Sequence, residues 1–238
     1  MNFKIKYDRV LLKLSGEVLQ GVNNFGIDMN VLNRISNEIK DIINLGVQIG
    51  IVIGGGNLFR GVELVKLGMN RVIGDQIGMF ATIMNSLAIQ DALHRIFINS
   101  YIISAIPLNN ICKNLNYFEI NNLLCKKYVL IFASGTGSPF FTTDSAACLR
   151  GIEIKADIVL KGTKVDGVFS ADPLKYLNAK FYNKISYKYA IDKNLKIMDS
   201  TAFALAKDYN LPICVFNINK PGNLYRIILG KKEGTLII

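Results

Sequence analysis

Val47-Gln48-Ile49-Gly50-Ile51-Val52-Ile53 runs straight into Gly54-Gly55-Gly56-Asn57-Leu58-Phe59-Arg60-Gly61, and this join decides how the rest of the chain reads. A short apolar run with one polar member is a strand buried on both faces, the mark of a parallel sheet covered by helices. The glycines stop it and free the backbone to turn its amides toward an anion. Upstream, residues 10–14 form a second buried strand, closed by Ser15-Gly16. Between the two strands lie a Gly/Asn-rich loop, 21–26, and a helix that Asp28 caps and Gly46 ends. Its apolar face is Val31, Leu32, Ile35, Ile39, Ile42 and Ile43. Downstream, a long helix is predicted over 75–95 with Ile77, Phe80, Met84, Leu87 and Leu93 facing inward. Strands follow at 101–106 and 128–133, then a turn-rich loop at 134–143 and a small helix at 144–152. A strand at 157–160, a helix at 201–208 and a strand at 211–217 complete the pattern. Strands alternating with crossover helices predict an α/β fold. It is a single three-layer domain over 1–238, with a mostly parallel central sheet and helices on both faces.

The 238 residues are half hydrophobic and 19% charged, which suits a globular chain. No run approaches the roughly 18–20 uninterrupted apolar residues of a membrane span, and the N-terminus lacks a signal-peptide layout. A cytoplasmic protein with no membrane partner is expected. Cys112, Cys125, Cys148 and Cys214 are scattered, read as reduced small hydrophobes, and no metal site is predicted. The lone histidine, His94, excludes a histidine cluster and reads as structural. A net charge of +10 suits either nucleic acid or anionic small substrates. The wealth of Lys, Asn, Ile, Phe and Tyr, without Trp, is also what an AT-rich genome writes into any protein. The lysines form no block beyond pairs such as Lys126-Lys127 and Lys231-Lys232.

In a parallel sheet, ligands bind beyond the carboxyl ends of the strands. Four loops follow predicted strands: 13–16, 54–61, 134–144 and 163–172. Lys13 at a strand end needs an anion to offset its burial, or else snorkels to water. Arg60 adds a fork of donors suited to phosphate, although the glycine loop also reads as a plain strand-to-helix turn. Phe59 stands where a dinucleotide fingerprint needs its third glycine, and no P-loop or protein-kinase signature is present. The 134–144 loop offers hydroxyls, helix-start amides and the adjacent Phe140 and Phe141, which suit phosphate, ribose and base. The fourth loop, with Asp166-Gly167 and Asp172-Pro173, is a turn on its own evidence.

Together these segments resemble the bacterial UMP kinases of the amino acid kinase fold family. The match runs through Gly68-Met69-Asn70-Arg71, Gly74-Asp75, Asn219-Lys220-Pro221-Gly222 and Gly234-Thr235-Leu236. The resemblance implies phosphoryl transfer from MgATP to UMP in pyrimidine nucleotide biosynthesis. It places Lys13, Leu14, Ser15, Gly16, Gly56 and Arg60 at the ATP phosphates, and Thr163, Phe169 and Asp172 at the ATP nucleoside. Gly55, Asp75, Thr136, Gly137, Ser138, Pro139, Phe140, Phe141, Thr142 and Thr143 match the UMP pocket, with Asp75 on the ribose. Gly21, Val22, Asn23, Asn24, Phe25 and Gly26 match an effector loop for GTP. The family is typically an allosteric homohexamer inhibited by UTP. Asn24 departs from the usual glycine, Ser138 from asparagine and Gly162 from alanine.

On this reading Lys13, Arg60 and Asp144 are catalytic: Lys13 and Arg60 neutralise charge, and Asp144 orients Lys13 and doubles as a helix cap. Lys161 and Lys164 are both candidates for the second lysine that the family places at the transferring group. The alternatives are a kinase of the same fold acting on a carboxylate or carbamate, and a nucleotide-sensing regulator that binds nucleic acid. Nucleic acid is not the expected partner.

Overall fold

The computed structural model describes residues 4–238 apart from 114–115, 172–174, 177, 194 and 196, and not the side chains of 62–64. In chain order the elements are β1 (Arg9–Leu14), α1 (Gly16–Leu19), α2 (Met29–Asn44), β2 (Gln48–Ile53), α3 (Gly61–Lys66), α4 (Arg71–Arg95) and β3 (Ser100–Ser104). Then come α5 (Tyr117–Cys125), β4 (Val129–Ala133), α6 (Thr143–Glu153), β5 (Ile158–Thr163), β6 (Val168–Phe169), β7 (Phe181–Tyr182) and β8 (Lys184–Ile185). The last are α7 (Tyr187–Asp192), α8 (Ser200–Asp208), β9 (Ile213–Asn217), α9 (Asn223–Ile228) and β10 (Thr235–Ile237).

One sheet runs in the order β3-β4-β2-β1-β5-β9-β10-β8, and β6 pairs with β7 in a separate hairpin. From β3 to β9 the strands are parallel, while β10 runs antiparallel to β9. The chain builds leftward from β1 and returns to its other side at β5, so the reversal of strand order falls at the centre of the sheet. That is where an open α/β sheet leaves a crevice for ligands.

The pleat sorts side chains into two cores. Val10, Leu12 and Leu14 of β1 and Ile49, Ile51 and Ile53 of β2 meet α2, α4 and α9 on one face. Leu11, Val52, Phe132 and Val159 meet α6 and α8 on the other. This is the expected three-layer arrangement. Gly50 belongs to the second face, where a Cβ would stand 3.0 Å from both Ile154 Cδ1 and Phe132 Cε2. Asp28 caps α2 as predicted, accepting from Asn30 N at 2.8 Å and Val31 N at 3.3 Å.

The long helix differs from its prediction in two ways. Asn70 caps it, accepting from Val72 N and Ile73 N, so it begins at Arg71 rather than at 75. Its inward face also differs in part from the predicted one: Leu93 is buried as expected, but Phe80, Met84 and Leu87 are 52%, 56% and 40% exposed. The buried side carries Ala81, Thr82, Ile83, Asn85, Ser86 and Ile89. Small and polar residues face inward because the backbone of the glycine loop comes close, and a Cβ on Gly55 would lie 2.7 Å from Ala81 Cβ. By length and composition α4 could cross a bilayer, but here it packs on α2 and the sheet.

Candidate functional site

Lys13 and Lys161 are register partners on the neighbouring strands β1 and β5. Their parity sends both toward the α6 face, with Leu11 and Val159. Each is buried, at 6% and 7% exposure. Asp144, in the first turn of α6, reaches between them: Lys13 Nζ lies 2.8 Å from Oδ1, and Lys161 Nζ 2.6 Å from Oδ2. Lys161 also donates to the Ile197 carbonyl. Burial alone would raise the Asp144 carboxyl, but the two ammonium groups outweigh it and hold the pKa below the ordinary carboxylate value. The Lys161 pKa is lowered, chiefly by burial, with Asp144 opposing and Lys13 reinforcing the shift. Asp199 also acts on Lys161 against that shift, and the two lysines bring positive charge to the carboxyl ends of the central strands. The first turn of α6 faces the same point, where helix amides favour an anion.

Two sequence expectations change here. Asp144 does not cap α6; Thr142 does, its hydroxyl accepting from Asp144 N at 3.0 Å and Ser145 N at 3.5 Å. And β5 runs past the predicted end at 160, which sets Lys161 opposite Lys13 while Lys164 is exposed beyond the strand.

A cavity of about 650 Å³ opens beside Lys161, walled by Ser15, Thr163, Val165, Val168, Phe169, Leu195, Ile197 and Val215. Phe169 is propped by Phe181, edge to face with centroids 5.2 Å apart. Of the residues expected at the donor nucleotide, Ser15, Thr163 and Phe169 line this space, and Asp172 lies outside the described residues. Leu14 turns its side chain into the opposite core, and its carbonyl accepts from Gly54 N at 2.9 Å. Gly16 is needed for close approach, since a Cβ there would meet Asn57 Oδ1 at 2.6 Å.

A second cavity, about 270 Å³, is walled by Gly55, Gly56, Asp75, Thr136, Ser138, Phe141, Thr142 and Thr143, with Arg71, Met79, Thr82 and Ser134. Asp75 holds the Arg71 guanidinium at 2.9 and 2.8 Å and accepts from Phe140 N at 2.8 Å. It therefore stitches the 134–144 loop to α4 and still has lone pairs left for a ligand hydroxyl. Gly137, Pro139 and Phe140 are not on this wall. Phe140 is 65% exposed, with φ 72° and the Arg71 guanidinium 5.6 Å from its ring. The paired-aromatic reading thus reduces to Phe141. Gly56, expected at the ATP phosphates, stands on this smaller cavity. Arg60 lines neither; its Nε is 3.4 Å from the Gly56 carbonyl and its Nη2 3.7 Å from Glu17 Oε1.

Gly21, Val22, Asn23, Asn24, Phe25 and Gly26 form a turn between α1 and α2, apart from both cavities. Val22 is 96% exposed and Phe25 69%. Gly26 N donates to Asn57 O at 3.0 Å. The His94 ring shares a hydrogen bond with Ser100 Oγ at 3.2 Å. Burial pushes the Cys148 and Cys214 thiols up to about 12, which makes both inert. Among the described residues no group of three His, Cys, Asp or Glu is placed to hold a metal ion.

The model of the amino acid kinase family matches residues 8–217. A uridylate kinase of Sodalis glossinidius is 61% identical over 99% of this chain and 98% of its own length. One from Salmonella typhimurium is 60% identical over the same shares. Among solved structures, the UMP kinase of Bacillus anthracis superposes with a TM-score of 0.94 at 40% identity, covering 97% of this chain and 96% of that one. The UMP kinase of Ureaplasma parvum gives 0.91 at 36%, covering 98% and 99%.

Proposed function

The chain belongs to the amino acid kinase family, and from that premise we propose that it is a UMP kinase, transferring the γ-phosphoryl group of ATP to UMP. The observation that carries the reading is the Lys13–Asp144–Lys161 group: Lys161 walls the larger cavity, and Asp144 follows directly in the chain on Thr143, which walls the smaller. ATP occupies the larger cavity and UMP the smaller, with Asp75 on the ribose.

The UMP phosphate, with a second pKa of about 6, is already an ionised nucleophile at neutral pH. No general base is required, which suits a site without a histidine. What the site must manage is repulsion between two anions around a loose, in-line transition state. Lys13 and Lys161 supply the charge, Asp144 keeps both ammonium groups in place, and the Gly55, Gly56 and Gly16 backbone can approach the phosphates. Arg60 is in reach of the glycine loop and takes the outer phosphate oxygens. Mg²⁺ would arrive with the substrate as MgATP and would offset phosphate charge, while Asp144 is committed to two lysines.

The proposal extends to a cytoplasmic enzyme of pyrimidine nucleotide biosynthesis, one domain over 1–238, with GTP acting at 21–26 and UTP as inhibitor. It includes a homohexamer. The exposed stripe Ile73, Phe80, Met84 and Leu87 on α4 recurs at helical spacing and supports packing against a second copy.

The test is ADP formation from MgATP with UMP, CMP, dUMP, AMP or acetylglutamate as acceptor. Turnover with UMP far above the rest is expected. Faster turnover with acetylglutamate, or none with UMP with or without GTP, would overturn the proposal. Light scattering at the mass of six copies is expected; a monomer would remove the hexamer.

A further inference from the structure

Two buried amides that the proposed chemistry does not use join the glycine loop to α4, Asn57 within the loop and Asn85 on the helix. Asn57 and Asn85 are 1% and 0% exposed, and their carboxamides pair head to head. Asn57 Nδ2 donates to Asn85 Oδ1 at 3.0 Å, and Asn85 Nδ2 to Asn57 Oδ1 at 2.7 Å. Each spends its other N–H on a backbone carbonyl: Asn57 on Gly26 at 2.9 Å, Asn85 on Gly54 at 2.8 Å. All four amide hydrogens are placed, and flipping either side chain would set an oxygen against a carbonyl.

The Gly54 contact bears on the chemistry. Gly54 N is held by the Leu14 carbonyl at 2.9 Å, and its own carbonyl is held by Asn85. A trans peptide is planar, with C=O and N–H pointing opposite ways. Fixing the Gly54 carbonyl toward Asn85 therefore aims the Gly55 N–H away from that helix face. Gly55 lies on the wall of the smaller cavity, and no partner for its N–H appears among the described residues.

We propose that Asn85 is a positioning residue for phosphoryl transfer. It fixes the Gly54–Gly55 peptide so that the Gly55 N–H faces the phosphates, and Asn57 ties that peptide to Gly26 at the end of the 21–26 segment. The inference rests on the UMP kinase reading.

Asn85→Asp keeps the side chain's shape and can still accept from Asn57, but only its protonated form can donate to the Gly54 carbonyl. Burial raises a carboxyl pKa, so the variant's competence should itself titrate. Between pH 5.5 and 8.5, the ratio of variant to wild-type kcat is expected to fall at least about fivefold as pH rises. Taking the ratio cancels the ionisation of UMP. Asn85→Ala removes the donor without adding charge and should lower kcat about tenfold at every pH, below the roughly 10²–10³ of losing a direct transition-state donor. In ¹⁵N-glycine-labelled protein without ligand, the Gly55 amide resonance should move in both variants more than those of Gly46 or Gly222. This readout needs no turnover, so it tests the positioning even if wild type made no UDP, a result that would defeat the kinase reading instead. A pH-independent ratio, a folded Asn85→Ala with kcat within twofold of wild type, or an unmoved Gly55 resonance would overturn the proposal.

Discussion

The two cavities differ in what fixes their walls. The larger is walled mainly by apolar side chains from several elements, such as Val165, Val168, Phe169, Leu195, Ile197 and Val215. The smaller sets glycine backbone, hydroxyls and one ion pair beside Phe59, Met79 and Phe141, and Asp75 cross-links its loop to α4. An apolar wall holds a ligand by graded contact, so losing one side chain costs little. A cross-linked polar wall holds it by a few committed hydrogen bonds, and breaking one leaves buried groups unmet. The donor nucleotide should thus be recognised loosely and the acceptor strictly.

The largest expected effect lies at the two lysines that share Asp144. Lys13→Met and Lys161→Met should each lower kcat by at least about 100-fold while leaving both KM values within a few-fold, as expected for groups that act in the transition state. A near-normal kcat in single-turnover assays would remove that lysine from the mechanism. Asp75→Asn comes next. Losing a charged hydrogen-bond acceptor should raise KM for UMP roughly tenfold or more, with KM for ATP unchanged; equal shifts in both would dissolve the contrast between the walls. Phe169→Ala should raise KM for ATP only about three- to tenfold, in line with partial burial of one aromatic, and leave KM for UMP alone.

The smallest effect is on stability. The Asp144 pKa is held below its ordinary value in the fold, so its contribution is present above the unfolded pKa of about 4 and is lost as pH falls through the lower folded one. Melting temperatures taken below pH 4 should decline more gently for Asp144→Asn than for wild type. Parallel declines would show that the ion pairs add nothing to folding.

Much of this was legible in the sequence, and the exceptions have physical causes. Buried runs such as 47–53 and 10–14 declare themselves because apolar residues on both faces leave no other reading. The inner face of α4 did not, since Phe80, Met84 and Leu87 match a helical period as well as the true face does. What decides between them is the close approach of Gly55 to Ala81, which no periodicity contains. Lys161 was one of two candidates with Lys164, because the predicted strand stopped at 160; extending it by one residue would have put Lys161 in step with Lys13 and separated the two. The α5 start carried a readable signal, Asn116 followed three residues later by Glu119, and both halves of that capping box form. Asn85 had no local signal. Its meaning comes from Gly54, 31 residues away in the chain.

The pairing of Lys13 with Lys161 across β1 and β5 reaches beyond catalysis. A strand slipped by one position would turn its lysine to the other face of the sheet and bury it among isoleucines, with no carboxylate to meet it. Turnover is therefore a tally of correctly registered molecules. In a refolding mixture, the ratio of activity to total helix signal would report how faithfully the sheet's centre had zipped.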